Sequence, residues 1–176
     1  MVNLSGHWKG YYTQSDQERP IEVEFSQDGG RLSGRMEDAC TEFRASLAEM
    51  VVEEGLSPGT DERIVDSIRA SFPDMPMGPI QSEIRLSKQS SVEGQVRGPS
   101  IRFQKTYEGP HFAGYRIGDI RLGVLGQDQK VEYLGRLSQD GREIEGRWHL
   151  SDHPHPLWHA RCEGGFYLCR AEHLEN

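Results

Sequence analysis

The chain is poor in cysteine, has no long apolar run and carries no excess of positive charge; each shortage removes a class of explanation. Its three cysteines, Cys40, Cys162 and Cys169, are an odd number without metal-type spacing. The pattern of a disulfide-stapled secreted domain or a zinc module is therefore missing, and free thiols in a reducing cytoplasm are expected. Cys162 and Cys169 would be the pair to bridge in an exported protein. The opening MVNLSGHWKGYY has no charged segment followed by an apolar one, so no signal peptide is expected. No apolar run approaches the length that spans a bilayer. With 20 Lys and Arg against 28 Asp and Glu, the formal net charge is -8. Such a surface repels phosphate backbones and anionic headgroups, so neither nucleic acid nor membrane is expected as a partner. Gly-x-Ser-x-Gly, a Walker loop and a dinucleotide fingerprint are also missing.

What is present is alternation. At 176 residues the chain is one domain-sized unit, 1–176, and its apolar residues, only 35% of the total, are spent in a pattern. Ile21, Val23 and Phe25 share one face against Glu22 and Glu24. The same period of two runs through Leu32–Met36, Val92–Val96, Ile101–Tyr107, Val131–Leu137, Ile144–Leu150 and Phe166–Arg170. SQDGGRLSGRM at 26–36 and SQDGREIEGRW at 138–148 nearly match, and each holds an Asp-Gly between alternating segments, a strong hairpin signal. The opposite phases carry Arg35, Glu93, Arg97, Arg102, Arg136, Glu145 and Arg147, a solvated antiparallel face. One segment, about 40–73, changes period. Phe43, Leu47, Met50 and Val51 form one helical stripe, and Ile64, Ile68 and Phe72 another stopped by Pro73, with Thr41 and Thr60 as N-caps. The fold expected is mainly β: an antiparallel up-and-down β-barrel of 8–10 strands with an inserted α-helical hairpin.

Glycine recurs in the apolar phase: LSGHW at 4–8, LSGRM at 32–36, VEGQV at 92–96, YLGRL at 133–137 and IEGRW at 144–148. A glycine inside a strand costs roughly 0.5–1 kcal/mol relative to alanine. Five such placements call for a geometric reason: sharp strand bends, with neighbouring aromatics lying across them.

Gly6-x-Trp8, then IEVEFSQDGGRLSGRM, then IRFQKTY, VEYLGRL and IEGRWHL, with Trp158 and GGFYL to close, resembles the calycin-type barrels. The avidin-like members are nearest in layout, with lipocalin-like barrels beside them. The resemblance covers roughly three quarters of the chain, with the helical insert outside it. It implies a closed barrel with aromatic walls, Gly6 shaping the first strand, and Arg170 of the last strand set against Trp8 in a cation–π contact. Where avidin-like sites hold biotin with small polar residues and a late Asp, the matching positions here are Gly10, Met36, Val131 and the glycines before Phe166. The architecture carries over; the ligand does not. Avidin-like barrels are often oligomeric through their outer faces, so a homo-oligomer fits the resemblance, although the outer faces here are heavily charged.

The residues expected to line a ligand site are Trp8, Tyr12, Phe103, Lys105, Tyr107, Tyr133, Trp148 and Trp158. Lys105 lies in the inward phase of its strand. It either anchors a carboxylate or phosphate at the barrel mouth or snorkels to water from the strand end. The aromatic residues either wall a cavity or simply fill the core. HLSDHPHPLWHARC at 149–162 is dense in His149, His153, His155, His159 and Cys162, but the spacing fits no standard site; no metal and no cofactor are expected, and haem or metal binding there is the weaker alternative. Carboxylates read as outward or helical, so no acid–base pair stands out and no catalytic residue is assigned. The expectation is a non-enzymatic barrel that binds a small apolar or carboxylate-bearing ligand, gated by the helical insert. Its rival is a filled barrel that presents the insert or the His/Pro segment to a protein partner.

Overall fold

The computed structural model describes residues 2–14, 17–53, 57–75, 78–126, 129–150 and 163–171. Eight strands form a closed antiparallel barrel: β1 (Gly6–Gln14), β2 (Gln17–Asp28), β3 (Arg31–Asp38), β6 (Gln89–Arg97), β7 (Ser100–Tyr107), β10 (Lys130–Leu137), β11 (Glu143–Leu150) and β12 (Glu163–Arg170). Each pairs with the next barrel strand along the chain, and β12 closes on β1. The alternation decides which side faces in. Ile21, Val23 and Phe25 are buried between exposed Glu22 and Glu24, and one apolar cluster fills the interior from Leu4 to Trp148.

Two excursions interrupt this meander. β4 (Glu42–Ser46), α1 (Leu47–Glu53), α2 (Thr60–Ser71) and β5 (Ile80–Arg85) lie between β3 and β6. β8 (His111–Ile117) and β9 (Ile120–Gly126) lie between β7 and β10. The second sheet has the order β4-β5-β8-β9, and the adjacent barrel strands that lead into or out of it run β3-β6-β7-β10. Four neighbouring barrel strands are thus prolonged past one rim, and the prolongations pair in the same order. Hydrogen bonds from Leu86 N to the Thr41 carbonyl and from Tyr107 N to the Gln129 carbonyl carry the ladder on between the two sheets, so these strands form a tall wall on that side.

The insert differs from its expected form. Residues 42–46 are a strand paired with Gln81–Arg85, not the start of a helix. Phe43 and Leu47 are four apart and mimic a helical stripe, but five cross-strand partners decide the matter. The helix begins at Leu47, and Thr41 does not cap it. Ser46 and Glu49 form the capping box: Ser46 N donates to Glu49 Oε2 (2.8 Å) and Glu49 N to Ser46 Oγ (3.2 Å). Thr60 is the first residue of α2, after Gly59 at the cap; its hydroxyl donates to the Ser57 carbonyl. α1 packs on β4 and β5 and against α2, burying Leu47 and Ile68. No helix among the described residues is long and apolar enough to cross a membrane.

The repeated glycines mark strand crossings too tight for a side chain. A Cβ on Gly34 would lie 2.1 Å from the Glu24 carbonyl oxygen, and one on Gly94 2.3 Å from that of Arg102. At Gly135 the obstacle is Phe166, whose ring edge would come within 2.8 Å. Gly6 is different: space is open around it, but its φ of 124° is one that other residues rarely adopt.

Candidate functional site

From the far end to the mouth, the interior has three levels. At the far end Trp8 is fully buried and donates from Nε1 to the Leu4 carbonyl (2.9 Å). The Arg170 guanidinium lies over its ring, 5.0 Å from the centroid, while its nitrogens donate to the carbonyls of Ser5 and Asn3. In the middle, Phe103 stacks on Tyr133 with centroids 4.7 Å apart and meets Phe25 and Phe166 edge-on at 5.5 and 6.0 Å. Trp8, Phe103 and Tyr133, expected as possible ligand walls, are therefore interlocked core residues here.

The third level, under the tall wall, gathers four of the expected residues. Lys105, Tyr107, Tyr12 and Trp148 are all at most 5% exposed. Tyr12 and Trp148 meet edge to face at 5.6 Å, and Trp148 Nε1 donates to the Thr13 carbonyl. Lys105 does not snorkel to water. It is wholly buried and donates to both oxygens of Asp38 (2.6 and 2.5 Å) and to the Tyr107 hydroxyl (2.7 Å). The Tyr107 hydroxyl donates in turn to Asp38 Oδ1. All three ammonium protons are spent within the protein. Burial pulls Lys105 down to about 8 against the pull of Asp38, and pushes the Asp38 carboxyl up against the pull of Lys105. Burial also raises Tyr12 and Tyr107, with the Asp38 charge adding to both shifts.

Asp38 and Glu83 contradict the expectation that the carboxylates lie outward or on helices: both are buried. Asp38 was open to discovery by phase, since it continues Leu32, Gly34 and Met36. Arg19 was too, since it precedes Ile21, Val23 and Phe25 at the same period. Its register partner across β1 is Tyr12, at the rim. The Arg19 guanidinium stands 5.5 Å from the centroid of Phe43, on the tall wall, and Nη1 contacts Cys40 Sγ at 3.4 Å. Among the described residues, its buried Nε has no hydrogen-bond partner and no carboxylate lies within ion-pair distance. On the same sheet face as Phe43, the fully buried Ser82 hydroxyl also lacks a partner among the described residues.

Trp158, His153, His155, His159 and Cys162 lie outside the described residues. His149 is on the outer wall, 3.6 Å from Glu132. Among the described residues no group of three or more His, Cys, Asp or Glu is placed to hold a metal ion. Cys40 and Cys169 are free thiols. A concave depression of about 680 Å³ lies on the outer barrel wall, edged by polar residues such as Ser33, Glu93, Arg102 and Gln104. No protein-family model matches the chain, and neither a curated protein nor a solved structure was found to match it.

Proposed function

We propose that the protein is a non-enzymatic binder of a small amphipathic acid, held at the barrel mouth against the tall wall rather than in the barrel interior. The observation that carries this reading is Arg19: a rim guanidinium in the inward phase, over the Phe43 ring, with a buried Nε–H that no group among the described residues accepts. Leaving such a donor unpaired costs about 1–3 kcal/mol, more where it is charged. A carboxylate would accept from it bidentately, while half-buried Phe43 offers apolar surface for the rest of the molecule above the buried Tyr12–Trp148 pair. Lys105, whose donors are spent on Asp38 and Tyr107, serves as floor instead of anchor. The closed eight-stranded barrel with Arg170 over Trp8 supports a calycin-like assignment. The free thiols Cys40 and Cys169 fit a cytoplasmic setting.

Calorimetric titration with decanoate and with decanol tests this. Decanoate binds wild type about tenfold more tightly than decanol, and Arg19→Met abolishes the difference. No heat with either compound, or a preference that survives Arg19→Met, overturns the reading.

A second reading, a protein-interaction module built on the insert and tall wall, is favoured by Leu125. It is 74% exposed on β9, which among the described residues pairs only with β8. It predicts a stable complex on co-purification that Leu125→Asp dissolves.

A further inference from the structure

The face of the second sheet opposite Phe43 is chemically different. Register sets Arg44, Glu83, Gly114 and Gly123 side by side across β4, β5, β8 and β9. Glu42 and Arg85 flank this row on one side, Arg116 and Arg121 on the other. Arg121 reaches from β9 past Gly114 to Glu83 on β5, its Nε 3.1 and 3.2 Å from the two carboxylate oxygens. The same Oε1 has Arg44 Nη2 and Arg85 Nε each 3.9 Å away. Arg44 and Arg85 also share Glu42, at 2.6 and 3.4 Å.

Three guanidinium groups thus meet two carboxylates, an excess of one positive charge on a chain whose formal net charge is -8. The carboxylate at the centre, Glu83, is fully covered, whereas the side chains of Arg44, Arg85 and Arg121 are 39%, 51% and 40% exposed. Glu83 is thus a buried anion with three partly exposed cations around it, one of which, Arg44, donates from Nη2 to Glu42. Arg121 spends only Nε, and among the described residues its terminal nitrogens make no hydrogen bond. Arg85 engages carboxylates only at ion-pair distance. Glu42 and Glu83 together leave one of the three positive charges unbalanced, and planar guanidinium forks suit the oxygens of a phosphate group.

We infer that this face binds a phosphate-bearing small molecule through Arg44, Arg85 and Arg121, with Glu83 as a positioning residue beneath them. Inorganic phosphate is the probe, added at constant ionic strength to protein labelled for observation of arginine Nε–Hε signals. The expected result is saturable shifts at Arg44, Arg85 and Arg121, with none at Arg147 on the barrel wall. Arg85→Gln weakens binding about tenfold while leaving the backbone amide spectrum otherwise intact. Glu83→Gln separates positioning from simple charge. Loss of a negative charge alone would tighten phosphate binding, whereas loss of positioning weakens it. Non-saturable shifts spread over all arginines overturn the site. Equal binding of malonate overturns the choice of phosphate, and tighter binding by Glu83→Gln overturns the role of Glu83.

Discussion

Lys105 Nζ lies 2.6 Å from Asp38 Oδ1 inside the barrel, with neither side chain exposed to solvent. Removing one partner from a buried pair strands the other charge and costs about 3–5 kcal/mol, whereas replacing both with apolar groups is often neutral. Lys105→Met is therefore expected to lower the unfolding free energy by about 3–5 kcal/mol in urea denaturation, and Asp38→Leu combined with Lys105→Met to recover most of that loss. If the double variant is as unstable as the single one, Asp38 and Lys105 are not coupled as described.

The pair also gives stability a pH dependence of known sign. Burial lowers Lys105 from its ordinary 10.5 to about 8 in the folded protein. Above pH 8 the unfolded chain retains a proton that the folded protein releases, so stability from this group rises with pH. Asp38, raised by burial, acts at the acid end: its contribution falls as pH rises through its folded value. Urea midpoints measured from pH 8 to about 9.5, below the ordinary tyrosine value of 10.0, should rise for wild type relative to the double variant. Parallel curves would show that Lys105 titrates normally.

The inward glycines admit a direct comparison. Gly94→Ala puts a Cβ 2.6 Å from Phe103 Cβ and closer still to backbone. Gly30→Ala, in the turn after β2, meets nothing nearer than 3.4 Å and has no positive φ. Overpacking predicts a loss of about 1–3 kcal/mol for Gly94→Ala, and a change within about 0.5 kcal/mol for Gly30→Ala. Similar melting temperatures for the two would remove the steric account of the repeated glycines.

The barrel was legible because its strands bury one face only, so period-two alternation and Asp-Gly turns report it without interference. The second sheet was not. Phe43 and Leu47 satisfy a helical spacing as well as a strand's, and Gly114 and Gly123 leave gaps where alternation would show. Glu83 is buried by arginines on neighbouring strands, a tertiary fact that local pattern does not carry. At the candidate site, phase alone places Tyr12, Lys105 and Tyr107 together and also reaches Asp38 and Arg19. What phase does not reveal is who pairs with whom. Lys105 looked like the free cation, yet its protons are spent, and the unspent donor belongs to Arg19.

Ligand position tests the central claim most directly. With unlabelled decanoate and isotope-labelled protein, intermolecular NOEs should connect the acyl chain to the rings of Phe43, Tyr12 and Trp148 at the mouth. Cross-peaks to Phe103 and Tyr133 in the barrel interior instead, or none to any protein proton, would contradict it.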